Sequence, residues 1–172
     1  MMTTTKKTTE AAVRASFGLA PIKETIGGRV ARARRLVGRS LGSALAMSVA
    51  CGATMMVASQ LRLGSPWAGL NAMATAVGLG PKKANKRFDM TATIAGAGVL
   101  AAGFLVYAGL YEGTLAASGK RRSLGTGILA ALGGFAVDEL LLKNELVPNF
   151  RRTLGDRGTL AKYAALGIAA AR

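Results

Sequence analysis

Residues 41 to 59 have the sequence LGSALAMSVACGATMMVAS and contain no charged side chain. At 19 residues the stretch is close to the roughly 20 that an α-helix needs to cross the hydrocarbon layer of a bilayer. A helix at the surface of a soluble protein carries charges along one face, and this stretch carries none on any face. The stretch therefore predicts a membrane-spanning helix.

Four further apolar segments follow along the chain. The clearest is 91–111, TATIAGAGVLAAGFLVYAGLY, which is again free of charge over 21 residues. The other three are short or carry acidic residues: 123–142, 65–80 with only 16 residues, and 159–171 with only 13. Thirteen residues rise about 20 Å as a helix, less than the hydrocarbon thickness.

These segments predict an all-α fold, a polytopic transmembrane helical bundle of four to five Ala/Gly-rich membrane segments. A basic, amphipathic amino-terminal segment precedes the bundle. The domain organisation that follows is residues 1–40 for this segment and residues 41–172 for the transmembrane helical domain.

Small residues dominate the apolar segments, since hydrophobic residues make up 51% of the chain and aromatic residues only 5%. In a bilayer, small side chains let helix backbones approach closely and gain dispersion contacts. We therefore expect a tightly packed bundle, either a homo-oligomer or a subunit of a larger membrane complex. One strip in the first span recurs at every fourth position and is predicted to pack against another helix: Gly42, Ala46, Ala50, Thr54 and Ala58.

The first 40 residues carry nine basic side chains against only Glu10 and Glu24. Residues 1–10 have the composition of a disordered segment, and from Pro21 onward apolar residues recur at helical spacing with arginines between them. This pattern predicts an amphipathic helix on an anionic membrane surface. The side chains predicted to contact lipid headgroups are Arg29, Arg32, Arg34, Arg35 and Arg39.

Two other interpretations of the basic segment stay open. A charge run before a first membrane helix is often only a topology signal, and an Arg-rich, acid-poor segment is also typical of a mitochondrial presequence. Location in the bacterial cytoplasmic (inner) membrane is the preferred prediction, and the mitochondrial inner membrane is the lesser alternative.

The number of crossings depends on residues 65–80. If this segment crosses, seventeen basic residues share the side of the amino terminus and only four lie opposite. The excess of Lys and Arg on the cytoplasmic side therefore favours five crossings with a cytoplasmic amino terminus. Four crossings, with residues 65–80 re-entrant or lying flat, is the alternative.

Several kinds of chemistry are excluded by composition. The chain has no histidine and one cysteine, Cys51, so it cannot form an internal disulfide, a multi-ligand zinc site or a His-based acid–base pair. Cys51 lies in the middle of the first span and is predicted to act as a small apolar residue. We expect no cofactor, no metal and no catalytic site.

Polar residues within apolar segments are the remaining site candidates, because an ionisable group in a bilayer is unfavourable unless it is paired or hydrated. Asp138 and Glu139 lie near the end of their segment, and Lys162 lies about one turn into the last one. We expect Asp138 to pair with Lys162 and to fix the orientation of two helices. Asn71 and Tyr107 are predicted to form hydrogen bonds between helices, whereas Glu112, after a predicted helix end, is expected to be solvated.

Four motifs in order resemble a known group: PWAGLNAM from Pro66, VYAGLYEG from Val106, VDELLLKNELVP from Val137 and KYAALGIAAA from Lys162. The order is similar to that in uncharacterised bacterial inner-membrane proteins of the YagU-like, DUF1440 type, over about residues 41–171. The resemblance implies a membrane location and no established mechanism.

Two classes of function follow, with a third behind them. The preferred one is a non-catalytic membrane component, accessory or structural, whose basic amino terminus contacts anionic phospholipids or a cytoplasmic partner. A small transporter or channel-like protein using Asp138 and Glu139 is the second. The third, a soluble protein that binds nucleic acid through its arginines, does not explain the two long uncharged stretches.

Overall fold

The computed structural model describes residues 26–80, 85–141 and 150–172, which form helices joined by short connections. In chain order the elements are α1 (Ile26–Leu63), α2 (Ala68–Met73) with a 3₁₀ turn (Ala74–Val77), α3 (Met90–Ser118), α4 (Leu124–Phe135) with a π-helical turn (Ala136–Leu141), and α5 (Phe150–Ala171). No strand occurs in the described ranges, so the predicted all-α class is confirmed for them.

The chain divides into two compact units, residues 1–35 and residues 36–172. The described part of the first unit is the beginning of α1, where Arg29, Arg32, Arg34 and Arg35 are exposed. The predicted domain boundary after residue 40 falls within α1, because helical structure continues through the basic segment into the apolar one. The predictions for residues 1–25 lie outside the described residues.

The ends of α3 and α4 follow from local sequence. Asp89 caps the start of α3, since its Oδ1 accepts a hydrogen bond from the Ala92 amide at 3.0 Å. Gly119 ends α3 with φ of 66°, a conformation that residues with a Cβ rarely adopt. Ser123 and Thr126 then form a reciprocal capping box that starts α4.

Helix α2 and its 3₁₀ turn occupy the predicted segment 65–80. Their ten residues rise about 15 Å, half the hydrocarbon thickness of about 30 Å. The two flanks of the segment meet, because Ser65 Oγ donates a hydrogen bond of 2.5 Å to the Lys86 carbonyl oxygen. The segment therefore leaves and returns at the same end of α1 and α3.

Two close backbone contacts join the helices of the second unit. A Cβ added to Gly96 of α3 would lie 2.7 Å from the carbonyl carbon of Leu70 in α2. A Cβ on Gly127 of α4 would lie 3.2 Å from the carbonyl carbon of Gly167 in α5 and 2.9 Å from a neighbouring methyl group. Only glycine allows two helix backbones to come this close. The small-residue composition predicts such close packing of helices, although it does not indicate which glycines take part.

The predicted packing strip of α1 needs correction at its first two members, whereas its last member, Ala58, packs against Gly158 of α5, with 2.8 Å between its Cβ and a Cβ added to that glycine. Gly42 and Ala46 are exposed, and nothing lies within 4 Å of a Cβ added to Gly42. The buried face is shifted by one position, and its members include two methionines: Ser43, Met47, Cys51, Met55 and Ser59. The prediction considered only the smallest residues of α1, whereas the buried face also contains the larger side chains of Met47 and Met55. Contact of the strip with another chain stays a prediction.

The surface of residues 36–172 carries many large apolar side chains, and the buried set contains both apolar and polar residues. Large apolar side chains such as Leu45, Val106 and Leu132 are 59–67% exposed. The buried set contains many polar or charged residues: Ser40, Ser43, Ser59, Ser65, Asn71, Thr93, Glu112, Thr126, Thr153, Thr159 and Lys162. Helices α1 and α3 are long and apolar enough to cross a membrane, by length and composition, and only 28% and 22% of their apolar windows are buried.

Candidate functional site

A buried carboxylate, Glu112, forms the most extensive polar cluster among the described residues. The residue is 1% exposed, and its Oε1 accepts hydrogen bonds from Ser43 Oγ at 2.6 Å and from Arg122 Nε at 3.0 Å. Arg122 Nη2 lies 2.7 Å from the same oxygen, and Arg39 Nε lies 3.1 Å from Oε2. Both carboxylate oxygens thus face a guanidinium.

The prediction that Glu112 is solvated is wrong. Helix α3 continues for seven residues past the predicted end at Tyr111, so Glu112 lies within the helix. Ala108 and Leu115, four positions before it and three after it, are also buried, which places Glu112 on the inward face. Extending the helical periodicity through residues 112–118, which include Leu115, would have indicated this position.

Arg122 is fully engaged by its surroundings. Its Nε and Nη2 contact Glu112, its Nη2 also donates to Ser43 Oγ at 2.9 Å, and its Nη1 donates to the Arg172 carbonyl oxygen at 3.0 Å. The cluster therefore joins α1, α3, the connection to α4 and the end of α5 at one end of the helices. A charge buried this deeply is tolerated only when partners on several sides compensate for lost hydration.

Arg39 was predicted only to contact lipid headgroups, and the structure gives it a partner within the protein. Its side chain is 52% exposed, and its contact with the described residues runs from Nε to Glu112. The terminal nitrogens Nη1 and Nη2 have no partner among the described residues. The guanidinium of Arg39 therefore contacts Glu112 through Nε, while Nη1 and Nη2 remain available to another ligand.

A second ionic contact joins α5 to the π-helical turn after α4. Lys162 Nζ lies 2.7 Å from Asp138 Oδ2, the pairing expected from the sequence. Tyr163 Oη donates to the same oxygen at 3.1 Å, and its ring lies 4.1 Å from Lys162 Nζ. The lysine side chain is 7% exposed and the aspartate side chain 45% exposed, so the pair has one buried and one open member. The side chain of Glu139 lies outside the described residues.

Lys162 also contacts α1 through its backbone. Cys51 Sγ donates to the Lys162 carbonyl oxygen at 3.5 Å, and Cys51 is completely buried. This contact places Lys162 at the level of Cys51, halfway between Arg39 and Arg62 along α1. The packing role expected of Cys51 stays a prediction.

Asn71 forms the hydrogen-bonded centre of the α2 segment. Its Nδ2 donates to the carbonyl oxygens of Asn85 and Arg87 at 3.2 and 3.0 Å, and its Oδ1 accepts from Thr93 Oγ1 at 2.7 Å. The side chain is completely buried and uses both donor hydrogens and its acceptor. It holds the return of the segment against the first turn of α3, which is a structural arrangement that leaves no amide hydrogen of Asn71 unused.

Two tyrosines of α3 bind backbone carbonyls of other helices. Tyr107 Oη donates to the Ala130 carbonyl oxygen of α4, the type of contact expected between helices. Tyr111 Oη donates to the Ala170 carbonyl oxygen of α5 at 2.8 Å. These contacts fix helix positions.

The part of the chain that the structure describes contains no group of three or more His, Cys, Asp or Glu side chains able to hold a metal ion. The two ionic clusters contain carboxylates, cations and hydroxyls, a set that can bind ions or fix helices.

Comparison with protein-family models, curated proteins and solved structures finds no match. The resemblance to the YagU-like, DUF1440-type proteins therefore stays a prediction.

Proposed function

We propose that the chain is a polytopic integral membrane protein with a non-catalytic role, an accessory or structural component of a membrane assembly. The observation that carries this proposal is the large number of exposed apolar side chains in residues 36–172. Exposed apolar side chains such as Leu45 and Val106 would be costly in water at about 25 cal/mol per Å². In lipid they need no cover, while polar groups must pair inside the bundle.

The spacing of charges along α1 matches a bilayer. Arg39 and Arg62 are separated by 23 positions, about 35 Å along a helix, with no charge between them. The hydrocarbon layer is about 30 Å thick, so both arginines reach the headgroups while the stretch between them lies in lipid. The Glu112 cluster then lies at the amino-terminal side and the α2 segment at the other.

Four crossings fit the geometry better than five. The α2 segment is too short to cross and its flanks meet at Ser65 and Lys86, which supports a re-entrant segment. The crossings proposed are α1, α3 and the two segments that contain α4 and α5. The described part of the α4 segment ends three residues after Asp138, and α5 is interrupted at the non-helical Gly155. Thirteen basic residues, with Arg172 included, would lie on the amino-terminal side against nine opposite, a smaller bias that still supports a cytoplasmic amino terminus.

The ionic contacts support a structural role. In a bilayer, a lysine at the level of Cys51 lies near the midplane, where an unpaired charge is strongly unfavourable. Its contact with Asp138 joins α4 to α5 and excludes arrangements that leave either charge in lipid. The exposed Arg29, Arg34 and Arg35 are then placed to bind anionic phospholipids or a cytoplasmic partner, and nucleic acid is not required as a ligand.

Transport is a second candidate, and one observation favours it. The Asp138 carboxylate is 45% exposed at mid-depth, as expected for a group that water or an ion reaches in an assembly. Proteoliposomes loaded with a pH dye or an ion indicator distinguish the two roles. A structural pair predicts no flux above empty vesicles, whereas flux abolished by Asp138→Asn would replace the structural proposal.

Membrane extraction tests the proposal. Membranes that contain the tagged chain are washed with high salt and alkaline carbonate, then with detergent. An integral bundle stays in the pellet through both washes and is released by detergent alone. Release by salt would indicate surface binding through the arginines, and release by carbonate would likewise refute the integral arrangement.

A further inference from the structure

We infer that Arg39 is a binding site for the phosphodiester of an anionic glycerophospholipid, with the guanidinium held ready by the buried Glu112. The inference rests on the proposed membrane location and adds a defined lipid contact. The open edge of the guanidinium, Nη1 and Nη2, forms the fork that pairs with two phosphate oxygens.

Glu112 fixes the position of this fork. Its carboxylate is completely shielded from solvent, and Oε2 lies 3.1 Å from Arg39 Nε. Oε2 accepts no hydrogen bond from the described residues, so the contact is an ion pair that keeps this edge of the guanidinium beside the bundle. A free arginine loses side-chain entropy on binding an anion, and an anchored one loses less. The anchoring contact uses Nε and leaves the two terminal nitrogens for a ligand.

The charge of the cluster favours an anion. Arg39 and Arg122 together carry two positive charges against the single negative charge of Glu112. Arg122 is occupied on all three nitrogens by Glu112, Ser43 and the Arg172 carbonyl, so it cannot turn outward. Among the described members of the cluster, the surplus positive charge is therefore presented through Arg39, whose side chain is 52% exposed.

The depth and the surface beside Arg39 fit a lipid. Arg39 comes two positions before the uncharged stretch 41–59, which places it at headgroup level in the proposed orientation. Gly42 and Ala46, about one and two turns further along the same side of α1, are exposed and lack bulky side chains. The first methylenes of an acyl chain below the phosphate meet no obstruction there.

The test uses the purified full chain in phosphatidylcholine nanodiscs into which phosphatidylglycerol is titrated. Native mass spectrometry counts retained lipids, and the thermal unfolding midpoint is measured in parallel. We expect the wild-type chain to retain phosphatidylglycerol in preference to phosphatidylcholine and to unfold at a higher temperature. Arg39→Gln should bind phosphatidylglycerol about tenfold more weakly, because charge-assisted hydrogen bonds to the phosphate are lost.

Two further variants keep the test specific. Lys120→Gln removes the same charge from an exposed position of the connection to α4 and should retain the wild-type preference. Arg39→Lys keeps a cation beside Glu112 but lacks the paired guanidinium nitrogens, so it should lose most of the preference for phosphatidylglycerol. This variant replaces Arg39→Gln in the test if Arg39→Gln does not fold.

Three results would overturn the inference. They are an unchanged preference in both Arg39 variants, an equal loss in Lys120→Gln, and an equal rise in midpoint with inorganic phosphate, which would indicate a soluble anion. Carbonate extraction of the same variants separates the two proposals. A chain that stays in the membrane but shows no Arg39-dependent lipid preference removes this inference alone, whereas a chain released by carbonate removes both.

Discussion

Gly96→Ala tests the closest packing of α2 on α3, and Gly98→Ala is its matched control. A Cβ at position 96 would lie 2.7 Å from the carbonyl carbon of Leu70 and 3.3 Å from the amide nitrogen of Ala74. Ordinary contact begins near 3.4 Å, so α2 would have to retreat by at least about 0.7 Å. Position 98 is exposed, with nothing within 4 Å of an added Cβ.

The two variants should change stability in opposite directions. Overpacking of a rigid backbone contact costs about 2 kcal/mol, and the displaced α2 also strains the hydrogen bonds of Asn71. Gly98→Ala adds roughly 0.5–1 kcal/mol of stability from helix propensity alone. The predicted gap is about 3 kcal/mol.

The assay is reversible unfolding in mixed micelles of a mild detergent with increasing sodium dodecyl sulfate, followed by circular dichroism. The free energy of unfolding of each variant is compared with that of the wild-type chain. Equal stability of Gly96→Ala and Gly98→Ala would refute the close packing of α2 against α3. A loss of stability in both would point instead to a general intolerance of alanine in this helix.

Three further predictions use the same unfolding assay. Glu112→Gln should lose about 3 kcal/mol, because Arg122, whose side chain is 28% exposed, keeps most of its burial and loses its charged partner, whereas the half-exposed Arg39 can be hydrated; a loss below about 1 kcal/mol would contradict the buried cluster. Asp138→Asn and Lys162→Met should each destabilise, and the double variant should be more stable than the sum predicts by about 1 kcal/mol; additive effects would remove the coupling between the two side chains. Thr93→Val should lose about 1 kcal/mol by leaving Asn71 Oδ1 without its donor, while the exposed Thr91→Val should be nearly neutral; equal effects would argue against that hydrogen bond.

The helical class and two long apolar helices were predictable because uncharged runs such as 41–59 have few other interpretations. The contact between Asp138 and Lys162 was also expected, since two charges in apolar segments at similar depth have few other partners. Both predictions need only the charge content of single segments and the order of those segments along the chain.

The buried face of α1 and the place of Glu112 were not predictable from such information. The face depends on which neighbours α1 meets, and Ser43 and Met47 lie only one position away from the predicted Gly42 and Ala46. Glu112 was judged by its place after an apolar run, while its burial depends on Arg39 and Arg122, which are distant in sequence. Long-range compensation of a charge leaves no local signal.

The central claim, that the apolar outer surface of residues 36–172 faces lipid, is tested most directly by a lipid-soluble carbene probe. The probe is activated in membranes that contain the chain, and labelled residues are located by mass spectrometry. The account predicts labels on Val49, Val106 and Leu132 and none on Met47 or Cys51. Absence of labels from the first three side chains, or equal labelling of Met47 and Cys51, would contradict it.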